Sequence, residues 1–560
     1  MKLRRLLIEN FRGFRRLELD LTDTTVLIGE NNSGKTAVLD ALRLCLRDLT
    51  SRRRVVFEPY DFHLRDGSAE PAAAEPIRLE LTFAEDRAGD WGDPLTGRLL
   101  RLGILQADPE DGRGRVIFRV TCAYDSAARD LKNDWAFLNL DGNVLQNVPD
   151  TALPALKAEV SYFYLSALRD AAKNFDAKGQ YWRPFLQDSQ LAPEKRAEIE
   201  GRLRDLNDLV VQSHGSFEQA KQRLKRLQEV VPLAPRDVVS IEAVPGRLFD
   251  MLAKAQVNLG TSTGVQVPVG RHGEGTQSLA VLMLFSAFLE AWPSASPIIG
   301  LEEPEAHLHP SAVRALWELL EGISGQKLIS THSGDLLSEV DIHSVCRLAR
   351  TASGVIARRV PEGLLDGEEA RKLSHHIRRA RGELLFARSW LLVEGESEAW
   401  VYPAAAKALG IGLHREGVRV VEYSQSDLGL LIKVADALGI PWYCVLDDDS
   451  GRAKYESSLK TQPADRYALP YRNLETHLLE SGFAGSYEPL MPSQNRAKIG
   501  KAPGEPGYWV EYADNLPPRA KTRAAAAVAA DIQARGKTCV TPALKAAVEK
   551  AVALAAGEST

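Results

Sequence analysis

The segment GENNSGKT at residues 29–36 constrains this chain more than any other, because it matches the pattern G-x-x-x-x-G-K-[ST] at every fixed position. The apolar run TTVLI at residues 24–28 precedes it, and apolar residues at helical spacing follow from 37 to 46. A strand, a glycine-rich loop and a helix in this order direct free N–H groups and the positive end of the helix dipole at an anion. The segment therefore predicts a phosphate-binding P-loop.

The residues of this loop have distinct expected roles toward ATP. Lys35 is expected to meet the β and γ phosphates, and the Thr36 hydroxyl is expected to ligate Mg²⁺. Gly34 lets the backbone curl around a phosphate, and Asn32 and Ser33 complete the predicted nucleotide contacts. The alternative is a chance match in an ordinary strand-to-helix turn, and the fitting strand and helix on either side argue against it.

The composition limits the kinds of protein that this chain can be. Its 560 residues exceed what one hydrophobic core usually spans, so we expect two or three domains. The chain has no apolar run long enough to span a membrane, and Met1 begins a charged segment, so we expect a soluble, cytoplasmic protein without membrane contact. The five cysteines lack the spacing of a zinc site or a disulfide framework. Because the net charge is −5, any DNA contact must depend on local basic patches.

Further segments place glycine, acidic and histidine residues beside predicted strands or helices. They are GRHGEGTQS at 270–278 before an apolar helix, EEPEAHLHP at 302–310 after the strand PIIGL, and THS at 331–333 after the strand KLIS. Together with IENFRGF at 8–14, ahead of the P-loop strand, they resemble the ABC-type and SMC-like ATPases.

The resemblance to these ATPases implies roles for several residues. Gly273 and Ser278 would belong to the signature motif, in which a glycine-rich turn and a serine at a helix N-terminus contact the γ-phosphate held by the opposite subunit. Glu302 stands where the Walker B strand usually has aspartate, and it would hold the Mg²⁺ shell through water. Glu303 would orient or deprotonate the attacking water, and His332 would sense the γ-phosphate.

Three other regions carry structural patterns. Segments 75–84 and 114–124 predict strands of an antiparallel sheet inserted in the ATPase lobe. Segment 193–231 is charged, has leucines at helical spacing and predicts two antiparallel helices, which could pack on their own lobe or on a second subunit. Segment 371–388 is strongly basic and is either a DNA-facing patch or a solvated linker helix.

A second set of acidic residues follows two predicted buried strands. Glu394 and Glu398 come after WLLV at 390–393, and DDD at 447–449 comes after WYCVL at 442–446. If the two strands are parallel neighbours, these carboxylates meet at one sheet edge and repel one another unless cations lie between them. Mg²⁺ or Mn²⁺ favours such ligands, and two ions can stabilise both oxygens of a phosphodiester displacement. The arrangement resembles the Toprim fold, and a solvated acidic turn and loop are the alternative.

The ATPase motifs and the Toprim motifs on one chain resemble the OLD (overcoming lysogenization defect) nucleases, possible relatives of which include the Gabija defence nuclease subunit. The resemblance implies an α/β architecture with an ABC-type ATPase domain at 1–385 and a Toprim nuclease domain at 386–560. A helical insertion at 190–232 would serve dimerisation. The implied partners are DNA, a second copy of the chain in a homodimer or higher homo-oligomer, and a helicase-like protein.

The same resemblance assigns the nuclease residues. The implied metal ligands come from three segments, with Glu394, Glu398 and Asp447 at one ion and Asp449 and Glu475 at the second. Lys521 would steady the phosphate in the transition state.

The leading hypothesis is a metal-dependent DNA endonuclease that an ATP-binding domain regulates, working in antiphage defence. The alternative is an ATP-driven DNA-binding clamp of the SMC and repair type, in which the Toprim lobe only grips DNA. A Toprim primase or topoisomerase ranks lower, because no tyrosine stands in a recognisable context for a strand-transfer nucleophile.

Overall fold

The computed structural model describes the chain except for residues 53, 65–69, 166–192, 214–243, 245–257, 261–265, 269–270, 292–295, 352–353, 425, 449–452, 461 and 558–560. Its strands are β1 (Lys2–Phe11), β2 (Phe14–Asp20), β3 (Thr24–Gly29), β4 (Ile77–Ala84), β5 (Gln106–Ala107), β6 (Gly114–Asp125), β7 (Asp130–Leu138), β8 (Val160–Leu165), β9 (Asn258–Gly260), β10 (Gln266–Pro268), β11 (Ser296–Glu302), β12 (Gln326–Ser330), β13 (Val345–Thr351), β14 (Gly354–Arg359), β15 (Ser389–Val393), β16 (Val418–Glu422), β17 (Trp442–Val445) and β18 (Tyr467–Ala468). Its α-helices are α1 (Lys35–Leu42), α2 (Asp93–Arg101), α3 (Ala152–Glu159), α4 (Pro193–Ser213), α5 (Glu274–Ala291), α6 (Pro310–Gly322), α7 (Gly334–Leu337), α8 (Gly367–Arg379), α9 (Glu396–Ala408), α10 (Leu413–Glu416), α11 (Leu428–Leu438), α12 (Ala453–Leu459), α13 (Leu474–Leu478), α14 (Ala484–Tyr487), α15 (Ser493–Arg496), α16 (Tyr508–Asp514), α17 (Pro518–Arg535) and α18 (Pro542–Ala556).

The chain divides into two compact units, one formed by residues 1–162 with 326–560 and the other by 163–325. The proposed domain boundary near residue 385 falls inside the first unit and stays a prediction. The predicted helical pair begins as α4, whereas its second helix, after Ser213, lies outside the described residues. Among the residues that the structure describes, none of the helices combines the length with the apolar character that spanning a bilayer requires.

An antiparallel sheet occupies the N-terminal part of the first unit, in the order β2-β1-β4-β6-β5 with β7 also paired to β6. Strict alternation creates its buried face, since Ile77, Leu79, Leu81 and Phe83 of β4 are buried and the residues between them are more exposed. The strands predicted at 75–84 and 114–124 are confirmed as β4 and β6. The sheet is more than an insertion, because β1 and β2 are also part of it.

The P-loop strand β3 lies between two parallel neighbours in a second sheet of the first unit. It pairs with β12 on one side and with β13 on the other, and β13 also pairs with the antiparallel β14. Five of the six residues of β3 are buried, as expected for a strand that is covered on both faces. The strands predicted at TTVLI and KLIS are therefore confirmed and are neighbours.

The third sheet contains four parallel strands in the order β16-β15-β17-β18. Every residue of β15 is buried, α9 and α18 pack against the strands, and α17 packs against α9. Because β15 and β17 pair directly, the expected side-by-side arrangement of the two strands that lead into the acidic segments is confirmed.

A buried arginine joins the sheet of the P-loop strand to the four-stranded sheet. Arg347 lies on β13, and its guanidinium donates to the carbonyls of Leu438 and Gly439 at 3.2 and 2.9 Å and to that of Ala387 at 3.0 Å. Burial lowers its pKa to about 10, because desolvation disfavours the charged form. Hydrogen bonds to carbonyls from two segments therefore offset the cost of burying this cation.

We expect Arg347→Ala to lower the free energy of unfolding by about 3 kcal/mol, because three buried carbonyls lose a charged donor. A urea titration followed by tryptophan fluorescence would measure the loss, since Trp390 and Trp442 are buried in the adjoining sheet. The exposed Arg371 on α8 provides the control, and Arg371→Ala should change stability by less than about 0.5 kcal/mol. Equal midpoints for the two variants would contradict this role.

Candidate nucleotide and metal sites

The backbone of the P-loop is fixed by two glycines that have no room for a side chain. Gly29 has a φ of 149° and Gly34 a φ of 96°, both in the region that favours glycine. A Cβ atom on Gly29 would lie 2.6 Å from the carbonyl oxygen of Leu348, and one on Gly34 would collide with the ring of Phe14. Phe14 ends the IENFRGF segment, so this segment packs directly over the loop.

The predicted nucleotide contacts, Asn32 to Thr36, span the end of the loop and the start of α1. Lys35 begins the helix, and its Nζ donates to the carbonyls of Gly29 and Glu30 at 2.9 Å each. Ser33 is buried, with its hydroxyl directed at Gly29. An ammonium and the free N–H groups of a helix N-terminus at one loop can hold a phosphate. The individual roles of these residues toward ATP stay predictions.

Arg12 positions α1, a role that no sequence pattern indicated. Its Nη1 donates to Asp40 of α1 at 2.6 Å, and its Nε donates to Asp61 at 2.8 Å. Asp61 is buried and also accepts from the backbone N–H of Glu58 at 2.8 Å. The N-terminal segment thus holds both the loop, through Phe14, and the helix that follows it.

In the second unit, the two predicted Walker B acids stand at the end of β11. Glu302 is the last residue of the strand and accepts a hydrogen bond from the Tyr164 hydroxyl at 2.7 Å. Glu303 has a φ of 45°, an uncommon conformation for a residue with a side chain. Such backbone strain clusters at functional sites. Their assignments to Mg²⁺ and water stay predictions.

The signature segment differs from the expectation. α5 begins at Glu274, directly after Gly273, so Ser278 lies in the second turn and is buried. The expectation that Ser278 stands at the helix N-terminus is therefore wrong. Glu274 suits the first turn because its negative charge complements the helix dipole, and it also pairs with His307 at 3.2 Å. The nucleotide contacts of Gly273 and Ser278 stay predictions.

The predicted sensor histidine belongs to the first unit. His332 follows β12, and its ring stacks on Phe386 with the ring centroids 6.5 Å apart and an interplanar angle of 17°. Phe386 lies shortly before β15, so the histidine is packed against the segment that leads into the four-stranded sheet. Its contact with a γ-phosphate stays a prediction.

The second candidate site lies at the carboxyl edge of the four-stranded sheet. Leu392 of β15 pairs with Cys444 of β17, so Glu394 and Asp447 leave the same edge shortly after this pair. The N–H of Ser424 donates to the carbonyl of Glu394 at 3.0 Å and fixes the backbone after β15. Two of the predicted metal ligands therefore come from neighbouring strand ends, as the sequence indicates.

The Glu398 carboxyl is strongly perturbed by its surroundings. It lies in the first turn of α9, is 6% exposed, and accepts from the N–H of Gly395 at 3.2 Å. Burial raises its pKa to about 8, and the negative charges of Glu475 and Glu394 add to the rise. At neutral pH this carboxyl therefore retains a proton unless a cation compensates the charges around it.

Glu475 and Lys521, whose sequence motifs are short, lie at the same place. Glu475 is in the first turn of α13, which Asn473 caps by accepting from the N–H of Thr476 at 2.8 Å. The Ser397 hydroxyl donates to Glu475 at 3.3 Å, and Lys521 Nζ lies 3.6 Å from the other carboxylate oxygen. One acid of α13 is thus held between α9 and α17, beside Glu398.

The chemistry of this donor set fits a hard divalent cation. Glu394, Glu398, Asp447 and Glu475 supply oxygen ligands, and burial together with the charges of Glu475 and Glu394 raises the pKa of Glu398. Asp449 lies outside the described residues. In the described part of the chain, no three or more His, Cys, Asp and Glu side chains are already arranged around one ion position. The acids are neighbours that would have to close around a cation.

Two arginines of the basic segment at 371–388 contact the candidate sites. Arg379, the last residue of α8, lies 3.8 Å from Glu396 and 3.5 Å from Glu422, at the edge that carries the acids. Arg388 precedes β15 and forms a two-point ion pair with Glu30 of the P-loop, with Nη2 and Oε2 3.1 Å apart. Only the basic composition of the segment pointed to these residues.

Comparison with known proteins covers most of the chain. The family model described as "Protein of unknown function (DUF2813)" matches residues 1–383. The model described as "Overcoming lysogenization defect protein-like, TOPRIM domain" matches residues 385–449.

Three relatives align with most of the chain, and one solved structure is a weaker match. "Uncharacterized protein YbjD" of Escherichia coli K12 is 29% identical and aligns over 90% of this chain and 92% of its own. "OLD nuclease" of Thermus scotoductus is 27% identical, over 80% of this chain and 82% of its own. "Endonuclease GajA" of Bacillus cereus is 24% identical, over 80% and 75%. An SMC head bound to the C-winged helix domain of ScpA matches 66% of this chain and 99% of its own, with 14% identity and a TM-score of 0.38.

The chain therefore joins a region with a P-loop strand and helix, which the DUF2813 model matches, to a C-terminal α/β region with a Toprim match. The chain belongs to the DUF2813 family, and its residues 385–449 match the Toprim domain of OLD-like (overcoming lysogenization defect) proteins.

Proposed function

We propose that this protein is a metal-dependent DNA endonuclease that its ATP-binding region regulates. The observation that carries the proposal is the group of acids at the Toprim edge, where Glu398 is buried beside Glu475 and Glu394, and Glu475 lies 3.6 Å from the ammonium of Lys521. Relatives that align over most of the chain are named nucleases, which supports the same conclusion. The names nuclease and endonuclease support a nucleic acid as substrate, for which we propose DNA, and the P-loop supports ATP as ligand.

The residues of this edge have separate tasks in the proposed reaction. Glu394, Glu398 and Asp447 would hold one Mg²⁺ or Mn²⁺, and Asp449 and Glu475 would hold a second. When bound, these ions stabilise the attacking and leaving oxygens of a phosphodiester. Lys521, held near Glu475, supplies a positive charge for the phosphate as negative charge develops on it. Ser397 and Gly395 orient the glutamates through hydrogen bonds.

The link between the P-loop and the Toprim domain supports regulation by nucleotide. Glu30 is the second residue of the loop, and Arg388, which forms an ion pair with its carboxylate, directly precedes β15, the strand that Glu394 follows. On the other side, Arg350 of β13 donates to the carbonyl of Asn32 in the same loop. A nucleotide that reshapes this loop would therefore act on the start of β15.

The biological setting is proposed from the relatives. The likeness to the OLD nucleases and GajA supports a role in antiphage defence, in a homodimer or higher homo-oligomer and with a possible helicase-like partner. α4 is a candidate dimerisation element, because Leu206 and Leu209 on this helix are exposed.

Wild-type protein should nick or cut plasmid DNA in Mg²⁺ or Mn²⁺, and Asp447→Ala should reduce the rate at least about a hundredfold because a metal ligand is lost. Gel assays of plasmid conversion measure the rate. Glu416→Gln removes an exposed acid of the same domain and should leave the rate unchanged. Equal cutting by wild type and Asp447→Ala would refute the proposed site, and DNA binding without cutting in any metal would favour a clamp.

Divalent cation should stabilise the folded protein through the same acids. At pH 8, millimolar Mg²⁺ or Mn²⁺ should raise Tm relative to EDTA, because a cation relieves the repulsion between Glu398 and its neighbours. The gain should shrink in Glu398→Gln and persist in Glu416→Gln. Differential scanning calorimetry tests this without DNA, and an identical gain in both variants would contradict metal binding at Glu398.

Reversing one charge of the ion pair between Arg388 and Glu30 should remove the effect of ATP on the cleavage rate. Arg388→Glu and Glu30→Arg should each reduce the ratio of the cleavage rates with and without ATP toward one, since each places like charges together. The double variant restores opposite charges and should recover much of the wild-type ratio. Plasmid cleavage with and without ATP, alongside Lys35→Ala, measures this. A double variant no better than either single variant would refute the link.

A further inference from the structure

Beside the acidic edge, the outer strand of the Toprim sheet forms one wall of two cavities. β16 is the edge strand, and Arg419 and Val420 on it line both a cavity of about 260 Å³ against α8 and one of about 610 Å³ against α9 and α10. Since both cavities are lined by Arg419 and Val420, we consider them together as one surface along β16. We refer to it as the β16 groove.

The groove begins at the proposed nuclease site. Glu422 pairs with Val393, the residue before Glu394, and it lies in the wall of the smaller cavity. Arg379 lies beside it, 3.5 Å from Glu422 and 3.8 Å from Glu396. A chain that leaves the acidic edge on this side therefore enters the groove past the Arg379 guanidinium.

The charges along the groove favour an anionic occupant. Its acids are already compensated, since Arg379 pairs with Glu422 and Arg419 pairs with Glu383. At the far end, Lys407 and Arg415 are exposed, and neither pairs with a carboxylate of the described residues. The groove thus offers two uncompensated cations in a chain whose net charge is −5.

An exposed aromatic residue next to the groove favours unpaired bases. Trp400 lies on α9, adjacent to the groove residue Ala399, and is 53% exposed although it is large and apolar. Bases stack on such platforms when they are not paired in a duplex. The β16 strand rises about 13 Å from Val418 to Glu422, so the wall it forms is long enough for more than one nucleotide.

The geometry points to the β16 groove as the binding track for an unpaired DNA strand that flanks the cleaved phosphate. Lys407 and Arg415 bind its phosphates, a base stacks on Trp400, and Arg379 guides the strand toward the acids. This inference rests on the proposed nuclease function and adds a preference for single-stranded flanks. A duplex-binding track would not use Trp400, and an acidic peptide in the groove would leave DNA cutting unchanged.

The test compares oligonucleotide duplexes with a single-stranded flank of about two or ten nucleotides on either side. Lys407→Ala/Arg415→Ala should raise KM about tenfold for the long flank of one polarity, with kcat within about twofold, and should leave the short flank unaffected. Trp400→Ala should weaken binding of DNA with the long single-stranded flank at least about fivefold, and Trp400→Phe should keep most of the wild-type affinity. DNA with a duplex flank should bind to wild type and to both Trp400 variants with equal affinity.

Affinity measured in an Asp447→Asn background separates phosphate contacts from other effects. Lys407→Ala/Arg415→Ala should reduce the slope of log K against log salt by about 1.4, the value for two phosphate contacts with a single strand. Arg16→Ala/Arg113→Ala removes one exposed and one partly exposed arginine, both paired with acids, from the N-terminal part of the chain and should change neither slope nor KM. If wild type cuts DNA but the groove variants match it on long flanks, the groove proposal is wrong. If wild type cuts no DNA, the nuclease proposal fails first.

Discussion

The buried guanidinium of Arg347 is the contact on which the placement of the two chemical centres in the first unit depends. Burying a cation away from water is costly unless it is hydrogen-bonded. The Arg347 guanidinium donates to the carbonyls of Leu438 and Gly439, at the end of α11, and to that of Ala387, just before β15. Because Arg347 belongs to β13, which pairs with the P-loop strand, the phosphate loop and the Toprim sheet share one framework. A conformational change in the P-loop would therefore reach the Toprim sheet through packed strands and not through a flexible linker.

At the Toprim edge, stability and function oppose one another. Burying Glu398 beside Glu475 and Glu394 disfavours ionisation, and this is why its pKa rises to about 8. A site built only for stability would place an apolar residue there. Ser397 and Lys521 reduce the charge repulsion but do not remove it. Acids that the strand ends and helix starts hold close together favour the binding of a divalent cation, which offsets their repulsion.

Local patterns predicted the parts of the fold that local physics determines. The P-loop and the strands β4, β6, β15 and β17 follow from apolar runs, alternation and glycine placement. The start of α5 escaped prediction because polar residues can extend a helix beyond its apolar stripe, which moved Ser278 into the second turn. Arg12, Arg347 and Arg388 escaped for another reason. A long side chain finds its partner far along the sequence, and neither spacing nor propensity identifies that partner.

β15 connects the contact with the P-loop at one of its ends to the acidic edge of the Toprim sheet at the other. Arg388, which forms an ion pair with Glu30, directly precedes the first residue of β15, and Glu394 directly follows its last residue. All five residues between them are buried and paired with β16, and the central three also pair with β17, so local unfolding of the strand would be costly and a push at one end would shift it as a rigid element. β16 is different, because it pairs on one side only and its free edge faces the β16 groove. Motion of β15 would therefore move the acids and the adjoining strand together. Nucleotide state and the path of DNA would meet at the same pair of strands.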